Sequence, residues 1–311
     1  MSAVPSRPGA DFLAALVLSV ILESCAHGGS SHAAAVAQPL QTGQTDANNK
    51  DGSSIRFVDI NPSDVKASNL ATIRTAAHRG DAKALLELAI AYGYGIGVKV
   101  DVDRYLTYIG QSARLGQPQA EDAVGYLLLK SNPKRAVYWF SKAAMQRYSQ
   151  AQFDLGTAYL IGRGVGKDSV KACQYFARAA SQGNADGEYS YGTCYYNGVG
   201  VTRDVDSAFK WYTKAANQSD PLAEQGLGMM YALGESVQQD LVESMKWLLL
   251  AQSGPSNEID LSRLRSLITE ISKRMTPDEI STARRFAAQF NRTHPRRKRI
   301  TSIDFNGNFH F

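Results

Sequence analysis

The chain has 311 residues, of which 44% are hydrophobic and 20% are charged, and its formal net charge is +5. This hydrophobic fraction is typical of globular proteins and excludes an intrinsically disordered chain. No apolar run reaches the roughly 18 residues that span a bilayer, and three cysteines are too few for a disulfide-dense scaffold.

The chain begins with a segment typical of protein export. Residues 12–22 form an apolar run of eleven, which fits a signal-peptide core and is too short to span a bilayer. The run ends at Leu22-Glu23-Ser24-Cys25, which resembles the cleavage box of bacterial lipoproteins, where a lipid-accepting cysteine follows a leucine and two small residues. Glu23 departs from that box, because its position is usually small and uncharged.

The resemblance implies that residues 1–25 are a signal peptide and that Cys25 is a lipidation site. Ala26 in place of an aspartate then favours the outer membrane, so we expect a periplasmic, outer-membrane-anchored lipoprotein. The alternatives to a lipoprotein signal are another export route or a protein that is not exported. Several acyl chains on one cysteine would give stable membrane anchoring.

A polar segment separates this signal from the folded part. Residues 26–55 are rich in Gly, Ser, Ala, Gln and Asn and contain no aromatic residue, so we expect a flexible tether. Residues 56–79 then predict an N-terminal capping helix, with Ser63 available as its cap.

A period of 36 residues dominates the rest of the chain. The tryptophans Trp139, Trp211 and Trp247 are separated by 72 and 36 residues. The same spacing relates further sets: Gly156, Gly192 and Gly228; Tyr159, Tyr195 and Tyr231; Gly162, Gly198 and Gly234; Asp168, Asp204 and Asp240. Such a period predicts a repeat array. Five units, each of two helices, fall at 80–117, 118–149, 150–183, 184–219 and 220–254.

Two further helices are predicted after the repeats. Residues 255–290 contain a helix start at Thr276-Pro277, with acidic residues in the first turn, and should cap the apolar end of the array. Residues 291–311 carry five basic side chains and one acidic one, whereas 1–55 carry two basic and four acidic ones. The basic balance of the chain therefore belongs chiefly to an exposed, disordered tail, and we expect no nucleic-acid partner.

The repeat motif resembles a known family. The pattern Ala-x-x-x-Leu-Gly-x-x-Tyr, then Gly-x-Gly-Val-x-x-Asp, then Ala-x-x-Trp-Tyr-x-Lys-Ala-Ala is similar to the Sel-one-like repeat, a relative of the tetratricopeptide repeat. The fourth unit matches it almost in full, at Gly192, Tyr195, Gly198, Gly200, Asp204, Ala208, Trp211, Tyr212, Lys214, Ala215 and Ala216. The resemblance implies an all-α protein, an α-α superhelical solenoid of helix-turn-helix repeats, that acts as an adaptor rather than an enzyme.

The repeats offer little catalytic chemistry. The five histidines lie outside residues 80–254, at His27, His32, His78, His294 and His310. A Ser-His-Asp or Cys-His site and the usual zinc sites need an imidazole that the repeats lack. The glycine-rich turn 162–168 and the Ser-x-x-Lys motif at 207–210 are both explained by the period. We predict no catalytic residue, no metal, no cofactor and no small-molecule substrate.

Cys173 and Cys194 occupy apolar positions in helices that should touch. A disulfide is geometrically conceivable in an oxidising periplasm, but we expect two buried free thiols.

The resemblance places the first helix of each unit on a concave groove. The outward positions there are predicted to be Lys83, Gln119, Asp122, Tyr126, Lys130, Gln150, Phe153, Asp186, Tyr189, Tyr196 and Asn197, with Leu86, Thr157, Thr193, Gln225 and Met229 beside them. Aromatic and amide groups bind peptides at a low entropic cost. The alternative is a solvated face with a few exposed tyrosines.

These observations favour a non-catalytic, envelope-anchored scaffold that binds a protein or peptide partner in its groove and the membrane through its N-terminal lipid. Two other functions stay open. One is a β-lactam-binding or β-lactam-hydrolysing enzyme, as described for cysteine-rich relatives of the family. The other is a secreted virulence factor or a regulatory repeat protein.

Overall fold

The computed structural model describes residues 65–254 and 259–296, together with the backbone of 302–303 and 309–310. The proposed lipidation site Cys25, the tether 26–55 and the start of the predicted capping helix lie outside these residues. The described part contains the helices α1 (Leu70–His78), α2 (Ala82–Tyr94), α3 (Val102–Arg114), α4 (Pro118–Leu128), α5 (Pro133–Met145), α6 (Ser149–Ile161), α7 (Ser169–Ala180), α8 (Ala185–Asn197), α9 (Val205–Asn217), α10 (Pro221–Leu233), α11 (Leu241–Gln252), α12 (Leu261–Ser272) and α13 (Pro277–Thr293).

The predicted all-α solenoid class is confirmed, because the helices from α2 to α11 form helix-turn-helix pairs that follow the repeat. A short 3-10 turn, Ala67–Asn69, precedes α1. Two two-residue strands, β1 (Ser302–Ile303) and β2 (Phe309–His310), pair antiparallel near the C-terminus. The described chain divides within α7 into two compact units, residues 65–179 and residues 180–296, which we call the N-terminal and C-terminal units.

The repeating aspartates and glycines fix the ends of the helices. Asp168, Asp204 and Asp240 lie at the N-termini of second helices and accept backbone N–H bonds from the third helical position, at 2.9 to 3.0 Å. These N–H bonds, and for Asp204 also the Ser207 hydroxyl, hold the pKa of Asp168 and Asp204 below the ordinary value. First helices end at glycines such as Gly198, whose φ of +65° is favourable only for glycine.

In the second to fifth repeats, the periodic glycine inside the first helix allows the paired helices to approach closely. A Cβ atom at Gly156 would lie 2.7 Å from the Phe176 ring, and one at Gly228 would lie 2.6 Å from Leu248. Real side chains essentially never come this close, so only glycine permits the observed packing. These glycines therefore have a packing role in the repeats.

A buried polar side chain recurs at the fourth position of the first helix in the second to fifth repeats, at Glu121, Gln152, Glu188 and Glu224. Glu121 forms a salt bridge with Lys142 at 2.7 Å and accepts a hydrogen bond from Gln146 at 2.8 Å. Glu188 accepts one from Gln218, the equivalent of Gln146, at 2.8 Å. Since a buried carboxylate must be paired, these contacts tie the first helix to the end of the second helix in the second and fourth repeats.

The last repeat satisfies its buried glutamate differently. Gly254 stands at the position of Gln146 and Gln218 and has no side chain, and Arg296 occupies the space. The Arg296 guanidinium pairs with Glu224 at 2.5 Å, and also donates to the carbonyl of Leu250 at 2.5 Å and to that of Ser219 at 3.0 Å. The C-terminal segment thus completes the final repeat.

The first residues of the C-terminal tail therefore differ from what we expected. We expected a disordered, solvated segment from residue 291, but α13 continues to Thr293 and the Arg296 side chain is only 20% exposed. The physical reason is the carboxylate of Glu224, which is fully buried and attracts the guanidinium.

Candidate functional site

A shallow cleft lies between α8 and α10 in the C-terminal unit, with a side chain of α9 as its floor. We call it the tyrosine cleft; it is lined by Tyr189, Thr193, Tyr196, Asn197, Tyr212, Leu222, Gln225, Gly226, Met229 and Met230. It encloses about 20 Å³, room for little more than one water molecule. Pockets that bury a small-molecule ligand are more than tenfold larger, at roughly 300 to 1,000 Å³. The cleft therefore suits surface recognition of an extended or helical segment.

Tyr212 forms the floor because two glycines make room for its ring. A Cβ atom at Gly192 would lie 2.8 Å from the ring, and one at Gly226 would lie 3.1 Å from its other edge. The Tyr189 ring stacks on Tyr212 with a centroid separation of 5.5 Å, and the Tyr196 ring lies 6.4 Å away. Three tyrosines from two helices thus form one continuous aromatic surface.

Hydroxyl groups surround this aromatic surface. The hydroxyls of Thr193 and Tyr212 lie 3.1 Å apart, and the Tyr196 hydroxyl donates to Glu235 at 2.6 Å. Burial, together with the hydrogen bond to the Glu235 carboxylate, raises the pKa of Tyr196 above its ordinary value. Arg203 donates to the backbone carbonyl of Tyr196 at 3.0 Å. The Tyr196 hydroxyl therefore stays protonated at neutral pH, and it offers a hydrogen bond rather than acid or base chemistry.

The structure brings three of the predicted groove residues together at this cleft, namely Tyr189, Tyr196 and Asn197. Tyr189 and Tyr196 are half-buried and Asn197 is exposed. Asp186, near the start of the same helix, is half-buried and does not line the cleft.

The remaining groove residues belong to the N-terminal unit. Lys83 and Lys130 are exposed there, while Gln119, Tyr126 and Gln150 are half-buried. Lys83 pairs weakly with Glu87 at 3.9 Å, and Gln119 accepts a hydrogen bond from Gln117 at 2.7 Å; Gln150 donates to Asp154 at 3.4 Å.

Five predicted outward positions are buried in the structure, namely Leu86, Asp122, Phe153, Gln225 and Met229. Gln225 and Met229 line the tyrosine cleft with little exposed surface, whereas the expectation that Leu86, Asp122 and Phe153 line an open groove is wrong. The Phe153 ring packs against Phe176 of α7, with centroids 5.8 Å apart, and its burial is better explained by this contact than by a partner.

Sequence reasoning missed the floor of the cleft. Tyr212 was recognised only as part of the repeat motif, and Gly226 was not singled out. A signal was present, because Phe140, Phe176 and Leu248 stand at the positions equivalent to Tyr212. Of the second to fifth repeats, only the fourth has a side chain with a hydroxyl group at this position.

The cysteine expectation needs correction. Cys173 of α7 and Cys194 of α8 are both disulfide-bonded, so the expectation of two free thiols is wrong. Each is buried, at 1% and 5% exposure. Burial at an apolar position does not distinguish a thiol from a half-cystine, because both are small and hydrophobic.

Two kinds of feature are absent from the described residues. In them, no group of three or more His, Cys, Asp or Glu side chains is placed to hold a metal ion. Within the same part of the chain, no helix is long and apolar enough to cross a bilayer.

Comparison with known proteins agrees with the repeat pattern. A family model described as "Sel1 repeat" matches residues 82–116, 118–148, 149–184, 185–220 and 221–251, more than half of the chain. A search of curated proteins gives no match.

Two solved structures are similar to the chain. One is a protective antigen of uropathogenic Escherichia coli strains that displays an SLR fold, with 25% identity and a TM-score of 0.53 over 74% of this chain. The other is a Sel1 repeat protein from Oxalobacter formigenes, with 26% identity and a TM-score of 0.53 over 70% of this chain. The chain spans 57% of the first protein's length and 74% of the second's.

Proposed function

Since this chain belongs to the Sel1 repeat family, whose members are generally non-catalytic interaction scaffolds, we propose that it is a scaffold of the bacterial cell envelope that holds a segment of a partner protein at the tyrosine cleft. The observation that carries the proposal is the aromatic surface of Tyr189, Tyr196 and Tyr212. Half-buried tyrosines bind with large contact area and little loss of side-chain entropy.

The shape and chemistry of the cleft favour a peptide segment over a small molecule. Its volume of about 20 Å³ encloses no ligand, whereas the exposed Asn197 offers an amide group of the kind that hydrogen-bonds a peptide backbone. Met229 adds a flexible thioether that adapts to different side chains. A non-catalytic function also predicts that a β-lactam does not acylate the purified protein.

Site-specific photo-crosslinking in the native host tests the cleft. A photo-reactive amino acid at exposed Asn197 should capture the partner, and one at exposed Asn217 on α9 should not. Tyr189→Ala combined with Tyr196→Ala should weaken capture by about tenfold or more, as hot-spot truncations do.

Tyr191→Ala combined with Tyr195→Ala is the matched control. These two tyrosines lie on the same helix and are also half-buried, but they contact each other and Trp211 instead of the cleft. Equal capture by both double variants would contradict the assignment of the cleft.

The envelope location is part of the proposal and rests on the apolar run 12–22 and on Cys25. A lipid anchor at Cys25 predicts that Cys25→Ser moves the protein from the membrane fraction to the soluble fraction and abolishes incorporation of labelled fatty acid. An unchanged membrane fraction would argue against lipidation.

A further inference from the structure

One surface of the N-terminal unit exposes apolar side chains that the repeat does not require. On α5, Tyr138 is 59% exposed and Met145 is 77% exposed, the largest exposures among the big hydrophobic residues of the described chain. Residues seven apart share one face of a helix and lie about 10 Å apart along its axis. The two side chains therefore form a two-point apolar stripe.

Comparison among the repeats shows that the fold does not need them. The equivalents of Tyr138 are Thr107, Gln174, Lys210 and Lys246, and the equivalents of Met145 are Arg114, Ser181, Asn217 and Ser253. Every other repeat thus places a polar side chain at both positions. The repeat therefore does not require these exposed apolar side chains, and apolar side chains grouped on an exposed surface are typical of contact sites.

The stripe is surrounded by positive charge. Residues 118–148 contain five basic and two acidic side chains. Both acids, Glu121 and Asp122, are buried, so the exposed charge of this repeat is basic. Lys134 and Arg135 are exposed one helical turn before Tyr138.

A third apolar side chain extends the surface at the end of α5. Leu115 is 54% exposed and precedes Gly116, whose carbonyl accepts a hydrogen bond from Gln146 at 3.0 Å. Leu115 is therefore close to the C-terminal end of the stripe.

We propose that this repeat-two patch, formed by Tyr138, Met145, Leu115, Lys134 and Arg135, binds an acidic amphipathic segment of a partner protein. Two apolar side chains of the segment, seven residues apart on a helix, contact Tyr138 and Met145, and its carboxylates pair with Lys134 and Arg135. The proposal rests on the scaffold function and adds to it a second surface, with a partner of stated charge.

A protein segment fits this patch better than the other candidates. Membrane-surface helices need a broad apolar face along their whole length, whereas α5 exposes only two large apolar side chains. The C-terminal residues Arg297, Lys298 and Arg299 carry the same charge as the patch and would be repelled. Tyrosine and methionine are residue types enriched in protein–protein contacts.

Fluorescence anisotropy with the full 311-residue chain tests the proposal. The probe is a fluorescein-labelled helical peptide of about fourteen residues, which presents leucines at positions i and i+7 flanked by glutamates. The wild-type chain should bind it, more weakly as NaCl rises from about 50 to about 300 mM. The same peptide with lysines in place of the glutamates should not bind.

The patch variant copies the third repeat, with Tyr138→Gln and Met145→Ser, so that circular dichroism should show an unchanged fold. It should weaken probe binding by about tenfold or more, and Lys134→Glu with Arg135→Glu should do the same. The matched control, Ile161→Ser with Val170→Gln, removes two exposed apolar side chains elsewhere and should stay within about twofold of wild type.

Several outcomes overturn the proposal. These are no binding of the glutamate probe, equal binding by the patch and control variants, or equal binding of the lysine peptide. Two further results would assign the patch to another occupant: self-association of the wild type that the patch variant loses, or flotation with phosphatidylglycerol-containing vesicles that it loses. The cleft variant with Tyr189→Ala and Tyr196→Ala should bind the probe normally, so this test and the crosslinking test fail independently.

Discussion

Arg296→Met removes the guanidinium that pairs with the buried Glu224 and keeps an unbranched side chain in its place. In the wild type, the Arg296 side chain is 20% exposed and the Glu224 side chain is 0% exposed. The variant leaves Glu224 without its cation and leaves the carbonyls of Ser219 and Leu250 without a donor from Arg296.

The expected decrease in the free energy of unfolding has two contributions. Losing the two hydrogen bonds that the charged guanidinium donates to the carbonyls costs about 3–6 kcal/mol in total at any pH. The second contribution depends on pH: burial raises the pKa of Glu224 from 4.5 to about 7, and Arg296 opposes that rise. Without Arg296 the pKa rises further, and each unit costs about 1.4 kcal/mol while the pH exceeds it.

The direction in which stability changes with pH follows from proton binding by Glu224. A carboxyl whose pKa is raised by folding holds its proton more strongly in the native state, so its contribution to stability falls as the pH rises from 4.5 to about 7. At about pH 5.5 the native Glu224 is protonated with or without Arg296, and the second contribution vanishes. We therefore expect Arg296→Met to lose more stability at pH 8 than at pH 5.5, by up to about 1.4 kcal/mol for each unit by which the pKa of Glu224 rises.

Equilibrium urea denaturation followed by circular dichroism at both pH values measures the two losses. Hydrogen exchange should localise them to α10, α11 and α13, the elements that meet at Arg296 and Glu224. Glu224→Gln is the control background, because Gln152 already occupies the equivalent position in the third repeat and does not titrate. Arg296→Met in that background should lose the same free energy at both pH values.

Two results would refute the reasoning. One is an equal loss at both pH values in the wild-type background, which would mean that Glu224 does not sense Arg296. The other is a pH difference that persists after Glu224→Gln.

The packing and the oxidation state give two more predictions. Gly228→Ala should lower the free energy of unfolding by about 1–3 kcal/mol, because its Cβ would lie 2.6 Å from Leu248. Gly110→Ala, whose Cβ would have no neighbour within 4 Å, should raise it by up to about 1 kcal/mol; urea denaturation compares them, and equal effects would contradict the close approach. Cys173 and Cys194 should not react with a maleimide in the denatured, unreduced protein, and mass-spectrometric detection of either adduct would contradict the disulfide-bonded state.

The helix ends and the helix pairing were predictable because their causes lie close together in the sequence. An aspartate such as Asp204 caps a backbone N–H three residues later, and a glycine such as Gly198 ends a helix through its own φ. Such local signals recur in every unit of a repeat array.

Exposure on the predicted groove was less predictable. Tyr189 and Phe153 both occupy outward positions in their repeats, yet Tyr189 lines a cleft and Phe153 is buried against Phe176. The difference depends on which side chains neighbouring helices present, and the repeat period alone does not specify these.

The sequence by itself determined the fold class, the repeat boundaries to within a few residues, and the absence of histidine from residues 80–254. It did so because each unit folds through contacts with itself and its neighbours, which a 36-residue period records. The tertiary structure alone decided that Tyr212 forms the floor of the cleft and that Arg296 completes the last repeat. Glu224 lies at a recurring position of the repeats, but Arg296 follows 72 residues later, beyond the last repeat, so the period does not indicate their pairing. Their pairing follows from the burial of a charge, which must find its partner wherever the folded chain brings one.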